Sequence, residues 1–458
     1  MSEFDPTPAD LPSASLKQRA IRGVVWTMSG FAAAQAIRLA LNLVLTRLLY
    51  PELMGLMGLV LSVVTGINLV CDFGTAAIVV RDPRGDDPVF LDTVWTLQVA
   101  RGVGVAGVAA LAARPLASFY GDHRLIYLIP AVGLGSLIGA FTSTSLLTLQ
   151  RHMAVSRLVV VELVTQAAAG AMMVVWASMA PGVWALVAGT LAAPAARVAW
   201  SYGLQTQRNR RFAWDPAAAR EIFDYGRWIW IATLLTFLAT QVDRLALGKL
   251  LSLPMLGIYG IAVTIAEVPR SLILAISNNV IFPAISRAAA LPRGDLRERI
   301  VRHRWPLVIA LAFLVAVLTA GGDAIVRGLY DQRYRAASWM VPMLALGIWP
   351  AALTSTIHPS LAAIGQPRYA AFANFWKAIF TGIGIPVAFA LFGVAGAVVV
   401  VALNDLPPYV QIGYGLWREG LAAFSQDLKA TLLLLLLLAL GILIRQTLGF
   451  GMQFQRQP

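Results

Sequence analysis

The stretch LTRLLYPELMGLMG, Leu45 to Gly58, decides the reading of this chain, because a close copy, LGKLLSLPMLGIYG, occupies Leu247 to Gly260. In ungapped register Leu45, Leu48, Leu49, Gly55 and Gly58 meet Leu247, Leu250, Leu251, Gly257 and Gly260, and Arg47 meets Lys249. Leucine matches are cheap in so apolar a sequence, so the weight falls on the two glycines and the matched cation. The first copy reads as a helix end, a turn around Pro51 and the start of another helix. Self-similarity at this long a period marks duplicated architecture.

The surrounding composition fixes the environment. With 58% hydrophobic residues, 13% charged residues and a mean hydropathy of +0.72, the chain is not a soluble globular protein. Apolar runs long enough to cross a bilayer recur along its whole length and do not alternate as barrel strands would. Thirteen such segments can be read: 21–49, 53–80, 89–113, 124–149, 154–180, 182–206, 223–249, 254–284, 303–328, 336–363, 369–392, 393–417 and 427–449. The polar, basic link QRNRRFAWDPAAARE (Gln207 to Glu221) divides them. The expected organisation is a disordered tail (1–15), an N-terminal six-helix lobe (16–206), a linker (207–222), a C-terminal six-helix lobe (223–417) and an extra segment with its tail (418–458). The run Leu432 to Leu438 in that last segment reads as a plain lipid-facing anchor.

Charge placement gives an orientation. With the N-terminus inside, the inner links hold 21 of the cations and the outer links nine, as the positive-inside rule requires. The net charge of +13 therefore belongs to the links between apolar runs and not to a nucleic-acid-binding domain. The first fifteen residues, MSEFDPTPADLPSAS, lack the basic and apolar regions of a signal peptide and read as a cytoplasmic tail. Cys71, the single cysteine, excludes an intramolecular disulfide and a CxxC site.

No catalytic constellation is legible, and neither a cofactor nor a metal is expected. His123, His152, His303 and His358 make no HExxH pair, and no glycine-rich loop ends in GK[ST]. Asp86 and Asp87 in DPRGDDP read as a solvated acidic turn sooner than as a metal-diphosphate site. No link is long enough to fold as a domain, so whatever the protein does happens within a helical bundle.

The informative residues are polar ones at membrane depth, where a charge normally faces a partner or a watered cavity. Arg38 belongs to a stripe with Gln35, Asn42 and Thr46 on one helix face, and Lys377 lies likewise between Asn374 and Thr381. These stripes read as cavity lining, with burial against neighbouring helices as the competing reading. Arg101 lies one turn from Gln98, and Arg270 is three residues after Glu267, within reach of an intrahelical pair. Snorkelling explains Arg197 and Arg244 at least as well as a functional role does, although Asp243 beside Arg244 complicates that reading. The acids Asp72, Asp92, Glu162, Asp243, Glu267 and Asp405 also lie inside spans, each able to pair with an arginine; Asp72, Glu162, Asp243 and Glu267 are candidates for binding a coupling cation or proton. By these counts a central cavity leans positive and favours an anionic ligand.

Taken in order, GVVWTMSG (Gly23 to Gly30), LTRLLYPELMGLMGLV, DFGTAAIVVR (Asp72 to Arg81), QVDRLALGKLLSLPMLGIYGIA (Gln241 to Ala262), EVPRSL, FPAISR (Phe282 to Arg287) and AIGQPRYA (Ala363 to Ala370) are telling in combination. The chain resembles the bacterial polysaccharide flippases of the multidrug/oligosaccharidyl-lipid/polysaccharide exporter superfamily. The resemblance implies an all-α polytopic inner-membrane protein whose two six-helix lobes are related by a pseudo-two-fold around a central cavity, here with an extra C-terminal transmembrane helix. It implies transport, not enzymatic turnover: an undecaprenyl-pyrophosphate-linked oligosaccharide crosses by alternating access, with membrane lipids and a polysaccharide polymerase or export machinery as partners. Basic cavity residues would hold the pyrophosphate, and Arg38, Arg101, Arg270 and Lys377 are the candidates, with Gln35, Asn42, Asn374 and Thr381 as polar lining. A cation-coupled drug exporter, a peptidoglycan lipid-precursor flippase and a membrane glycosyltransferase or ligase are the alternatives.

Overall fold

A computed structural model describes residues 13–72, 74, 79, 84–152, 155–203, 212, 215–288 and 290–447. The first twelve residues of the expected tail, the start of the inter-lobe linker, most of the motif DFGTAAIVVR and the C-terminal end lie outside the described residues. Among the described residues there is no strand. The first half comprises α1 (Ser13–Leu48), α2 (Pro51–Val70), α3 (Pro88–Tyr120), α4 (Leu125–Ala140), α5 (Ser145–Arg151), α6 (Val155–Met179) and α7 (Val183–Gly203). The second half begins with α8 (Pro216–Leu250), α9 (Leu253–Ala266), α10 (Val268–Ile276), a π-helical turn (Ser277–Ile281) and α11 (Phe282–Ala288). It continues through α12 (Arg293–Leu329), α13 (Ala337–Gly347), α14 (Trp349–Ser355), α15 (Pro359–Ala363), α16 (Arg368–Leu403) and α17 (Leu406–Arg418), and ends in α18 (Phe424–Thr447).

Among the described residues each of the thirteen apolar segments falls mainly on helix. Ten stretches among the described residues are long and apolar enough to cross a membrane, and α4 with α5 forms one more, bent by 67°. The stretch Arg368–Arg418 doubles back at Gly393, whose φ of +62° suits glycine alone. A Cβ on Gly396 would lie 2.4 Å from the Ala388 carbonyl oxygen, so the two arms of this hairpin are in contact. That turn falls at the expected junction of 369–392 with 393–417. Helix α8 is long enough to span but carries Gln241, Asp243 and Arg244. Pro216, expected to mark the break between halves, instead opens α8, because the first helical turn has no use for a proline's missing N–H. Asp87 caps α3 by accepting from the Val89 amide at 3.1 Å, and Asp86 pairs with Arg151 at 3.0 Å, so both acids are occupied structurally.

The repeated corner is where the halves meet. A Cβ on Gly55 would lie 2.0 Å from the Leu253 carbonyl oxygen, and one on Gly257 would lie 1.9 Å from the Pro51 carbonyl oxygen. In the register of the repeat Gly55 matches Gly257 and Pro51 matches Leu253, so each copy presents to the other the contact it receives. Such reciprocity is the mark of a two-fold relation. Gly58 and Gly260, the other matched pair, would meet nothing within 4 Å. A second reciprocal pair flanks this seam: Tyr120 at the end of α3 donates to the Leu245 carbonyl of α8, and Tyr330 just after α12 donates to Asn42 of α1.

The apolar core follows the same geometry. The largest cluster joins both halves through the corner ends of their helices, with Leu49, Leu56 and Leu128 packed in one body with Leu247, Leu256 and Tyr334. The smaller clusters toward the other face each belong to one half. The halves are therefore joined most extensively at the corner face, and toward the opposite one Trp230 of α8 still donates to the Val70 carbonyl at the end of α2, at 2.6 Å.

Helix α18 is not a plain anchor. Arg304, whose side chain is 1% exposed, pairs with Asp427 at 2.6 Å and donates to Thr356, Gln426 and the Leu353 carbonyl. At the other end Arg445 pairs with Asp323. Ala430, Leu434 and Gly441 pack inward between these two pins, Leu433, Leu437 and Leu438 are half-buried against the same core, and Leu432, Leu435, Leu436 and Leu440 are exposed. Breaking a buried pair strands a charge at about 3–5 kcal/mol, whereas replacing both partners with apolar groups can be neutral. Arg304→Met is accordingly expected to lower the melting temperature in detergent sharply, and Arg304→Met with Asp427→Leu to recover most of the loss.

Candidate functional site

Prolines interrupt two spans of the second half and set a carboxylate at each break. In EVPRSL, Pro269 cannot donate to the preceding turn, and Glu267 sits between α9 and α10. In NDLPP, Pro407 and Pro408 open α17, and Asp405 occupies its N-cap position. Irregular backbone at membrane depth is tolerated where it is buried in protein or lines a cavity, and here it does the latter. Glu267 and Asp405 line a cavity of about 260 Å³ together with Asp243, Arg244, Tyr259, Arg270 and Lys377, all from the second half.

Asp405 is the hub. Its carboxylate takes both Nη groups of Arg270 and, at 2.6 Å, the ammonium of Lys377. Arg270 also lies 2.8 Å from Glu267 as an ion pair, although its Nε finds no hydrogen-bond geometry. Tyr259 donates to Asp243 at 2.7 Å. Of the lining groups, Gln241 Oε1 has no hydrogen-bond partner and Arg244 has no ion pair among the described residues, and the Thr381 hydroxyl, buried one turn from Lys377, is likewise without a partner. Three cations face three carboxylates, so this cavity is balanced and the expected positive bias is missing from it.

A second cavity, of about 600 Å³, lies in the first half, lined by Arg38, Gln98, Glu162, Gln166 and Arg197 among others. Arg197 stands 4.0 Å from Glu162, and both are at least half exposed, so the pair is loose. Arg38 is exposed to the cavity without an ion pair among the described residues. Two cations against one carboxylate leave this cavity one charge positive.

The candidate residues thus divide. Arg38, Arg270 and Lys377 line cavities, as do Glu162, Asp243 and Glu267. Arg101 does not: it pairs with Asp72 at 3.5 Å and donates to the Asn68 carbonyl at 3.3 Å, tying α3 to the end of α2. Two residues expected in separate roles are therefore each other's partner. Both are about a third exposed, so Arg101→Ala is expected to lower stability by about 1 kcal/mol or less. The double reversal Arg101→Asp with Asp72→Arg should recover that loss in a melting experiment. Gln35 donates to Ser271 at 3.3 Å and Asn42 accepts from Tyr330 at 2.8 Å, so these two hold α1 against the other half. Asn374 donates to Thr236 at 3.1 Å. Arg197 and Arg244 also line cavities; Asp405 and Tyr259 complete the set that spacing alone did not single out. The proline after each acid was the signal that would have marked Glu267 and Asp405.

Two cavities set on broken helices, in halves that meet reciprocally at their corners, belong to a multi-pass membrane protein. Comparison with known proteins agrees. Residues 44–303 match the family described as polysaccharide biosynthesis protein, and the chain belongs to that family. Among its relatives are the teichuronic acid biosynthesis protein TuaB of Bacillus subtilis, 20% identical over 61% of this chain, and the succinoglycan biosynthesis transport protein ExoT of Rhizobium meliloti, 22% identical over 82%. The matches span 58% of the Bacillus protein and 75% of the Rhizobium one. A third, the lipopolysaccharide biosynthesis protein WzxC of Escherichia coli, is 21% identical over 60% of this chain and 56% of its own length. In fold, the chain is similar to the lipid II flippase MurJ in an inward closed conformation (TM-score 0.71, 12% identity, 95% of this chain and 94% of that one). It is also similar to an inward-facing multidrug MATE transporter (TM-score 0.66, 14% identity, 87% and 98%).

Proposed function

We propose that this protein flips an undecaprenyl-pyrophosphate-linked oligosaccharide across the bacterial inner membrane for assembly of a surface polysaccharide. The observation that carries this reading is Arg38, without an ion pair among the described residues, in a cavity one charge positive, within a bundle whose halves are most extensively joined at the corner face. The lysine and arginine bias supports an N-terminus in the cytoplasm with the corners outside, so the face away from the corners would meet the side where such lipids are made. Arg38 would receive the pyrophosphate, with Arg270 and Lys377 as further cations beyond it, while the prenyl chain stays in the bilayer. Asp243, Glu267 and Glu162 remain the candidates for a coupling cation; Asp72 is already paired with Arg101. A polymerase or export complex would take up the product outside.

Deletion of the gene, followed by analysis of lipid-linked sugars, tests the reading. An undecaprenyl-linked oligosaccharide should accumulate on the cytoplasmic leaflet and disappear when the wild-type chain is restored. Arg38→Ala should fail to restore export while reaching the membrane in normal amount. Absence of any such lipid in the deletion strain would refute the assignment.

A further inference from the structure

We propose that Arg244 forms a second anion site on the transport path, in the cavity of the C-terminal half, and that its ligand is the diphosphate head of the transported lipid. The identity of that ligand rests on the flippase reading above; the site itself rests on geometry.

Every other charged side chain of this cavity is already partnered: Asp243 by Tyr259, Glu267 by Arg270, and Asp405 by both Arg270 and Lys377. Arg244 alone among them is left without an ion pair among the described residues, although it is partly buried and lies at membrane depth. A guanidinium in such a place is costly unless water or a ligand meets it, and its planar fork matches two phosphate oxygens at once. The position fits passage through the bundle. Arg244 lies six residues before the end of α8, about 9 Å along the helix from the corner. The repeat adds an independent observation. In its register Arg244 matches Asn42 and Thr240 matches Arg38, so the first helix of each half carries one cavity-lining cation without an ion pair among the described residues, on equivalent faces and one turn apart. Asn42 is occupied by Tyr330, whereas its counterpart Arg244 is open to the cavity. An anion held by Arg38 before the bundle changes state would meet Arg244 on its way to the corner face.

Binding of farnesyl diphosphate to the purified full-length chain in lipid nanodiscs tests this. Wild type should bind, Arg244→Ala should bind about ten- to a hundredfold more weakly, and Arg244→Lys should fall between. Arg302→Ala, on an exposed pair with Glu298, is the control for bulk charge. Melting temperature and elution profile verify folding; if Arg244→Ala fails these, Arg244→Gln takes its place. Equal binding by wild type and the neutral variant overturns the proposal, as does absence of binding by wild type. If the deletion strain still accumulates the lipid-linked sugar, the flippase reading survives either failure; if it does not, the reading itself has failed.

Discussion

Asp405→Ala is expected to abolish transport and to lower stability by about 3–5 kcal/mol, the usual cost of stranding a buried charge. Asp405 is almost fully buried and is the only carboxylate that Lys377 contacts among the described residues. Without it, two cations face each other at membrane depth, and Glu267 is the one carboxylate still paired with either of them. Lys377→Met combined with Asp405→Asn keeps the Arg270–Glu267 pair and leaves no stranded ammonium, so melting should return toward the wild-type temperature. Transport should not return, because Lys377 is then absent. Thermal unfolding in detergent, run beside an export assay, separates the two effects. A fully stable Asp405→Ala protein would mean that the three side chains are not assembled as described.

The second large effect is expected at the seam. In both directions the atom facing the missing Cβ is a backbone carbonyl oxygen, which cannot rotate aside as a side chain can. Gly257→Val should therefore push α9 away from α2 and destabilise the joined corners by about 1–3 kcal/mol or more, the range for overpacking. Gly55→Val should act alike. Gly58→Ala and Gly260→Ala are the contrast, since open space surrounds both. In a helix interior these alanines should be neutral or slightly stabilising. Melting curves of the four variants check the pattern. Equal effects at all four positions would contradict the reciprocal packing.

Those four glycines illustrate what the sequence could and could not convey. The repeat identified both pairs as equivalent across the halves, yet nothing in the letters distinguished the pair that touches from the pair that does not. That difference is set by which face of α2 turns toward α9. The thirteen segments and the reversal near Gly393 were legible because bilayer thickness imposes a length on each run. Partnerships were not. Arg304 sits among five other arginines and reads as a link cation, but α12 begins as early as Arg293 and carries it into the bundle. Its partner Asp427 lies more than a hundred residues on, at the start of a leucine run that hides one buried face. Arg101 and Asp72 were both visible as intramembrane charges, and only the packing of α3 on α2 makes them a pair. The legible part of the cavity was its cations; the carboxylates that balance them needed the fold.

Under the proposed function, the seam between the halves at the corners must part for a lipid-linked sugar to leave. Phe119 ends the third helix of one half and Lys249 the first helix of the other, with the Lys249 ammonium donating to the Phe119 carbonyl. In a Cys71→Ser background, cysteines at 119 and 249 joined by a short thiol cross-linker would hold that seam shut. The predicted result is that cross-linked protein no longer delivers lipid-linked oligosaccharide to the outer leaflet, and that reductant restores delivery. Delivery at the full rate while the link is intact would contradict the account.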